Sequence, residues 1–126
     1  MIVVASIFAA LAALLHVYIF LMESLWWTKP RTRKTFGITS AEVAEITKPL
    51  AYNQGFYNLF LAIGVVIGFV LLAVGEPEAG RALVLFSLAS MFVAALVLVT
   101  ADSTKARAAA TQGTLPLIGF VLFLFV

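Results

Sequence analysis

Seven side chains in this chain combine polarity with a spacing that could serve chemistry: His16, Glu23, Asn53, Gln54, Tyr57, Asn58 and Gln112. His16 and Glu23 are the two that readily exchange a proton, so an acid–base step would fall to them, with amide side chains orienting the substrate. They stand seven positions apart, which puts them on one helix face about 10 Å apart along its axis. Asn53, Gln54, Tyr57 and Asn58 cover an arc of about 140° on a second helix. Other chemistries are poorly served. The chain has no cysteine, which excludes disulfides, thiolate metal sites and a cysteine nucleophile. Its one histidine cannot supply both axial ligands of a haem. A His-plus-Glu metal site would have to recruit Asn, Gln or water, so no metal and no cofactor is assigned. No Gly-x-Ser-x-Gly elbow or phosphate loop occurs.

The elements that must position these groups follow from composition. Hydrophobic residues make up 63% of the 126 residues and charged ones 11%, with a mean hydropathy of +1.12. Soluble domains are closer to half apolar and a quarter charged. The balance predicts an all-α integral membrane protein, a single domain of four transmembrane helices over about 2–27, 50–74, 82–101 and 108–126. A bilayer core needs about 20 apolar residues in helical form, and these runs lack the alternation of a barrel. The first run begins without a basic region and outlasts a signal-peptide core, so it is expected to remain as a helix rather than be cleaved.

Charge sets the expected topology. The net charge is +2, but Lys29, Arg31, Arg33, Lys34 and Lys48 lie in connection 28–49 and Lys105 and Arg107 in connection 102–107. Only Arg81 falls opposite, in a turn with Glu76 and Glu78. The basic residues read as topology signals rather than a nucleic-acid footprint. They place both connections in the cytoplasm and both termini outside the inner membrane. Trp26, Trp27 and Tyr52 fall where interfacial aromatics are expected. Thr39-x-x-Glu42 resembles a capping box, with Val43, Ile46 and Leu50 following at helical spacing and Pro49 starting the second span. That stretch reads equally as a short surface helix or an ordinary connector.

Intramembrane polar groups cost at least about 2.5–3.5 kcal/mol when charged and mark function by default. All but His16 fall in the cytoplasmic half, which predicts a polar pocket opening to that leaflet with His16 as its floor. Each group also has a plainer explanation. Glu23 can snorkel or pair with a basic residue, the amides can join helices at about 0.6 kcal/mol each, and His16 can bond a neighbouring helix. Gly64 and Gly68 form a Gly-x-x-x-Gly motif that admits another helix, either in the chain or in a second copy. Ser87 and Ser90 read as small packing residues.

Two runs, His16-Val-Tyr-Ile-Phe-Leu-Met-Glu23 before Trp26/Trp27 and Asn53-Gln-Gly-Phe-Tyr-Asn-Leu-Phe-Leu-Ala62, with the closing Gln112-Gly-Thr-Leu-Pro116, resemble the small bacterial four-helix membrane family termed domain of unknown function thirteen-oh-four. The resemblance covers nearly the whole chain. It places motif positions on His16, Tyr18, Glu23, Asn53, Gln54, Gly55, Tyr57, Asn58, Gln112 and Pro116, and implies a polytopic inner-membrane protein of no established activity. Thr100-Ala101-Asp102 departs from the family's Tyr-Gly, so Asp102 is not carried over. Three functions follow as expectations: a pocket binding a small molecule or lipid, whether or not it catalyses; a proton-coupled transporter working as a dimer, by architectural analogy with small multidrug exporters; and an accessory subunit of a larger membrane complex.

Overall fold

A computed structural model describes all residues, 1–126, and contains helices without strands. Helix α1 (Ile2–Phe20) continues into a π-helical turn over Leu21–Leu25. A short helix, α2 (Pro30–Phe36), follows. Then come α3 (Ala41–Ala73), α4 (Pro77–Ala101) and, after a 3-10 turn at Ser103–Lys105, α5 (Ala106–Leu124). Four of these units are long and apolar enough to cross a membrane, at Ile2–Leu25, Ala41–Ala73, Pro77–Ala101 and Ser103–Leu124.

The four spans pack in a ring, α1 against α3 and α5 and α4 between those two on the far side. The interior is built from small residues. Ala5, Ala9, Ala12 and Ala13 line α1 and meet Ala62 and Val65 of α3, Val84, Leu88 and Met91 of α4, and Phe123 of α5. Lipid tails are as apolar as leucine, so helices in a bilayer associate by close van der Waals fit rather than by leaving water. Gly68 shows how close that fit is. A Cβ there would meet the Gly80 carbonyl oxygen at 3.0 Å and Val84 N at 3.2 Å. Large side chains point outward instead: Val3, Leu14, Phe60, Phe86 and Val97 are each more than half exposed.

Several boundaries differ from those expected. The second span does not begin at Pro49, because the helix starts eight residues earlier, at Ala41. Its cap is Ser40 rather than Thr39: the Ser40 hydroxyl accepts from Val43 N at 3.1 Å. Pro49 lies inside the helix, on an exposed face, so the carbonyl it leaves without an N–H partner sits on the accessible side. At about 1.5 Å per residue, 33 residues make a helix about 50 Å long, against a hydrocarbon core of about 30 Å. The excess is about 20 Å, and the first two turns, Ala41–Lys48, lie at the basic end of the helix. Gly64 and Gly68, read as a seat for a partner helix, are taken up by α4 of the same chain: a Cβ on Gly64 would collide with Ser87 Oγ. Ser87 is the small packing residue expected.

The connections are fixed by specific bonds. Asp102 Oδ1 accepts from the Thr104 hydroxyl at 2.6 Å and the Thr104 N–H at 3.0 Å, and those bonds hold its carboxyl below the usual carboxylate range. At the opposite end Arg81 donates from Nε to the Phe123 carbonyl at 3.1 Å and from Nη2 to the Leu124 carbonyl at 2.7 Å. These are C-terminal carbonyls of α5 that no further turn of helix can satisfy. Replacing Arg81 by Ala should therefore lower stability by about 2 kcal/mol, read as a lower melting temperature in detergent, with Arg81→Lys recovering part of the loss.

Candidate functional site

The π-helical turn is where the polar residues converge. An extra residue in that turn widens the helix, a feature that recurs at functional sites. The Trp26 N–H reaches back to the Leu21 carbonyl at 2.9 Å, closing the wide turn. Within it Glu23 is turned inward and only 4% exposed. Asn58 on α3, also buried, donates from Nδ2 to Glu23 Oε1 at 2.8 Å. The same amide donates to the Gln54 carbonyl at 3.3 Å. Next to Glu23, the Ser24 hydroxyl donates to the Tyr52 carbonyl at 2.8 Å. Two side chains of one turn are thus tied to α3, one through a side chain and one through the backbone.

Gly55 makes this contact possible. A Cβ at that position would strike Ser24 Oγ and come within 3.0 Å of Ser24 N and 3.1 Å of Glu23 Cβ. Backbone lies in the way, so the π-turn could not rest on α3 if residue 55 carried a side chain. The run Asn53-Gln-Gly-x-Tyr-Asn therefore has a structural reading: glycine admits the turn, and the asparagine three residues later receives its carboxyl.

The polar arc of α3 does not face inward as a whole. Asn58 is buried, whereas Asn53, Gln54 and Tyr57 are exposed. The arc runs from the outer surface of the bundle, through Gln54, to the Glu23–Asn58 pair. Aromatic rings flank it, with Tyr57 edge-on to Phe60 at 6.3 Å and Phe56 against Tyr52 and Phe20, each at 5.0 Å.

His16 and Gln112 stand apart from this group. His16 is wholly buried, and its Nδ1 lies 2.9 Å from the carbonyl of Ala12 on its own helix. A carbonyl only accepts, so Nδ1 carries the proton and Nε2 of the neutral ring presents a lone pair. That Nε2 is buried without a hydrogen-bond partner. Gln112 is half-buried on α5, one turn before the buried Pro116. Neither makes a hydrogen bond to the Glu23–Asn58 pair. A separate groove of about 220 Å³ lies between α4 and α5, lined mainly by apolar residues including Phe92, Ala95, Ala109 and Gly113. Tyr18, the remaining aromatic motif position, is exposed on α1.

Ser24, Gly55 and the π-turn were not among the candidates drawn from residue type. Gly55 lay inside the distinctive run but has no polar atom of its own to draw notice. The extra residue of a π-turn leaves no mark in the order of amino acids. No three groups among His, Asp and Glu come together in a way that could hold a metal ion.

Residues 10–124 match the family model described as Protein of unknown function (DUF1304), and the chain belongs to that family. Comparison with curated proteins and with solved structures gives no match.

Gly55→Ala should push the π-turn off α3 and cost about 1–3 kcal/mol, whereas alanine at the exposed Gly75, where no atom lies within 4 Å of the added carbon, is strained only by its positive φ. Thermal unfolding of the two variants side by side reads the difference. Asn58→Leu should lower stability by at least as much as Gly55→Ala, since it strips the buried Glu23 carboxyl of its donor.

Proposed function

We propose that this member of the family is a polytopic membrane protein that binds a small molecule or a lipid head at the polar arc of α3, with the Glu23–Asn58 pair at the inner end of the site. The observation that carries this is the pair itself: a buried carboxyl whose hydrogen-bond partner is a neutral amide, not a cation. A carboxyl in such a setting has unspent capacity to accept a hydrogen bond or a positive charge. Asn53, Gln54 and Tyr57 extend the same chemistry to the outer surface, where a ligand arriving from the bilayer would meet it first. The rings of Tyr57 and Phe60 offer an apolar wall for its body. The chemistry favours a ligand with a hydrogen-bond-donating or cationic head. Catalysis, if it accompanies binding, would fall to Glu23 as the proton-exchanging group.

The same buried carboxyl favours a second reading, proton-coupled transport, because a carboxyl without a fixed cation can exchange a proton for a charged substrate. Proteoliposomes separate the two: substrate-dependent proton movement abolished by Glu23→Gln supports transport, and binding without proton movement supports the first reading.

Orientation belongs to this proposal. The basic end, with connections 28–49 and 102–107, faces the cytoplasm of the inner membrane under the positive-inside rule. The chain has no native cysteine, so single cysteines report side directly. Glu76→Cys should react with a membrane-impermeant maleimide in intact cells, and Lys34→Cys only after permeabilisation.

For the ligand site, Asn53→Ala and Glu23→Gln should each reduce retention of a co-purifying molecule at least tenfold, as expected for loss of a hydrogen bond to a buried or charged group. Mass spectrometry of organic extracts from equal amounts of folded protein gives the measurement. Full retention in both variants would overturn the proposal.

A further inference from the structure

The segment between the π-turn and α3 holds a second concentration of charge, opposite in sign and unused by the site above. From Ser24 to Ala41 the chain has no acidic residue but four basic ones, Lys29, Arg31, Arg33 and Lys34. Two elements of structure hold this segment against the end of the bundle. The Trp27 ring lies 5.0 Å from Phe36, and its Nε1 donates to Thr47 Oγ1 on α3 at 3.1 Å. Lys105 Nζ donates to the Phe36 carbonyl at 2.9 Å, joining the connection before α5 to the end of α2. Thr32 is buried beneath α2. Arg33 is half-buried and donates from Nη2 to the Thr39 carbonyl at 3.4 Å.

This anchoring settles which cations remain available. Arg33 and Lys105 are engaged in structure, while Arg31 and Lys34 are exposed. Three apart on a helix, Arg31 and Lys34 are neighbours on one side. Lys29 is exposed as well and stands over the Trp26 ring, 5.2 Å from its centroid. The carboxylate of Asp102 accepts from Thr104 and feels the charge of Lys105.

Distance from the bilayer follows from chain length. Only the four residues Trp26–Lys29 separate the π-turn from α2, a reach of at most about 14 Å even if fully extended. The headgroup layer is about 5–7 Å deep on each side, and a lysine or arginine side chain spans most of what remains. Tryptophans at the end of a span sit at that level.

We infer that Lys29, Arg31 and Lys34 form a binding surface for the phosphate of anionic phospholipids in the adjoining leaflet. The guanidinium of Arg31 can grip a phosphate with two parallel N–H bonds, and the ammonium groups of Lys29 and Lys34 add charge on either side. The surface rests on α2 and its anchors rather than on the Glu23–Asn58 site, and it selects the opposite charge.

The test uses the full-length chain in detergent, offered an equal mixture of phosphatidylglycerol and phosphatidylcholine, with bound lipid read by native mass spectrometry. The unaltered chain should retain phosphatidylglycerol in preference to phosphatidylcholine. The double variant Arg31→Gln/Lys34→Gln should lose that preference by about thirtyfold, about fivefold for each cation. Arg31→Lys/Lys34→Arg should keep most of it, and Glu78→Gln, exposed at the start of α4 and away from both sites, should leave it unchanged. An unaltered chain without preference, or a double glutamine variant that keeps it, overturns the inference. Inorganic phosphate that displaces the lipid from the unaltered chain at concentrations where sodium chloride of equal ionic strength does not would assign the surface to free phosphate and overturn it equally.

Discussion

A carboxyl group inside an apolar bundle must find a donor, and much of the basic end of this molecule is arranged so that Glu23 finds one. Asn58 supplies the N–H at 2.8 Å, but it can do so only because the end of α1 rests directly on α3. That contact depends on the bare backbone of Gly55. It depends equally on the π-turn, which swings Glu23 inward and leaves Ser24 to bond the Tyr52 carbonyl. Donor, glycine and widened turn are three parts of one device, and none of them is useful without the others.

Elsewhere the bundle relies on contact rather than polarity. Alanines on α1 and glycines on α3 and α4 bring backbones together where lipid offers no hydrophobic drive. The two kinds of seam divide the molecule along its length. Near the turn between α3 and α4, Gly68 and Gly80 lock the helices with no gap to fill. Towards the basic end the same side of α3 becomes free, and there Asn53 and Tyr57 are exposed. Gathering Asn53, Gln54 and Tyr57 at the loosely covered end leaves them within reach of something outside the chain.

The amino-acid order made the class of fold legible, since four apolar runs with so few charges admit one solvent. It also singled out Glu23 and Asn58 as polar residues on separate helices that had to be accounted for. What it could not convey was direction. An arc of 140° at Asn53–Asn58 was correctly measured from helical geometry, yet whether it faces a neighbour or the surroundings depends on where the other helices lie. His16 shares a face with Glu23 in an ideal helix, but its ring turns back to the Ala12 carbonyl. Pro49 looked like a start because proline favours first turns. The Ser40 cap and the exposed position of Pro49 let the helix begin earlier.

The unbroken course of α3 through Pro49 has a mechanical side. Gly68 is wedged against α4, and Asn58 lies about 15 Å from it at 1.5 Å per residue. A rod pivoting there by about 10° would sweep Asn58 through about 2.6 Å, close to the 2.8 Å length of the Asn58–Glu23 bond. A load on the turns at Ala41–Lys48 would act at the end of a lever, and the carboxyl–amide bond lies between that load and the pivot.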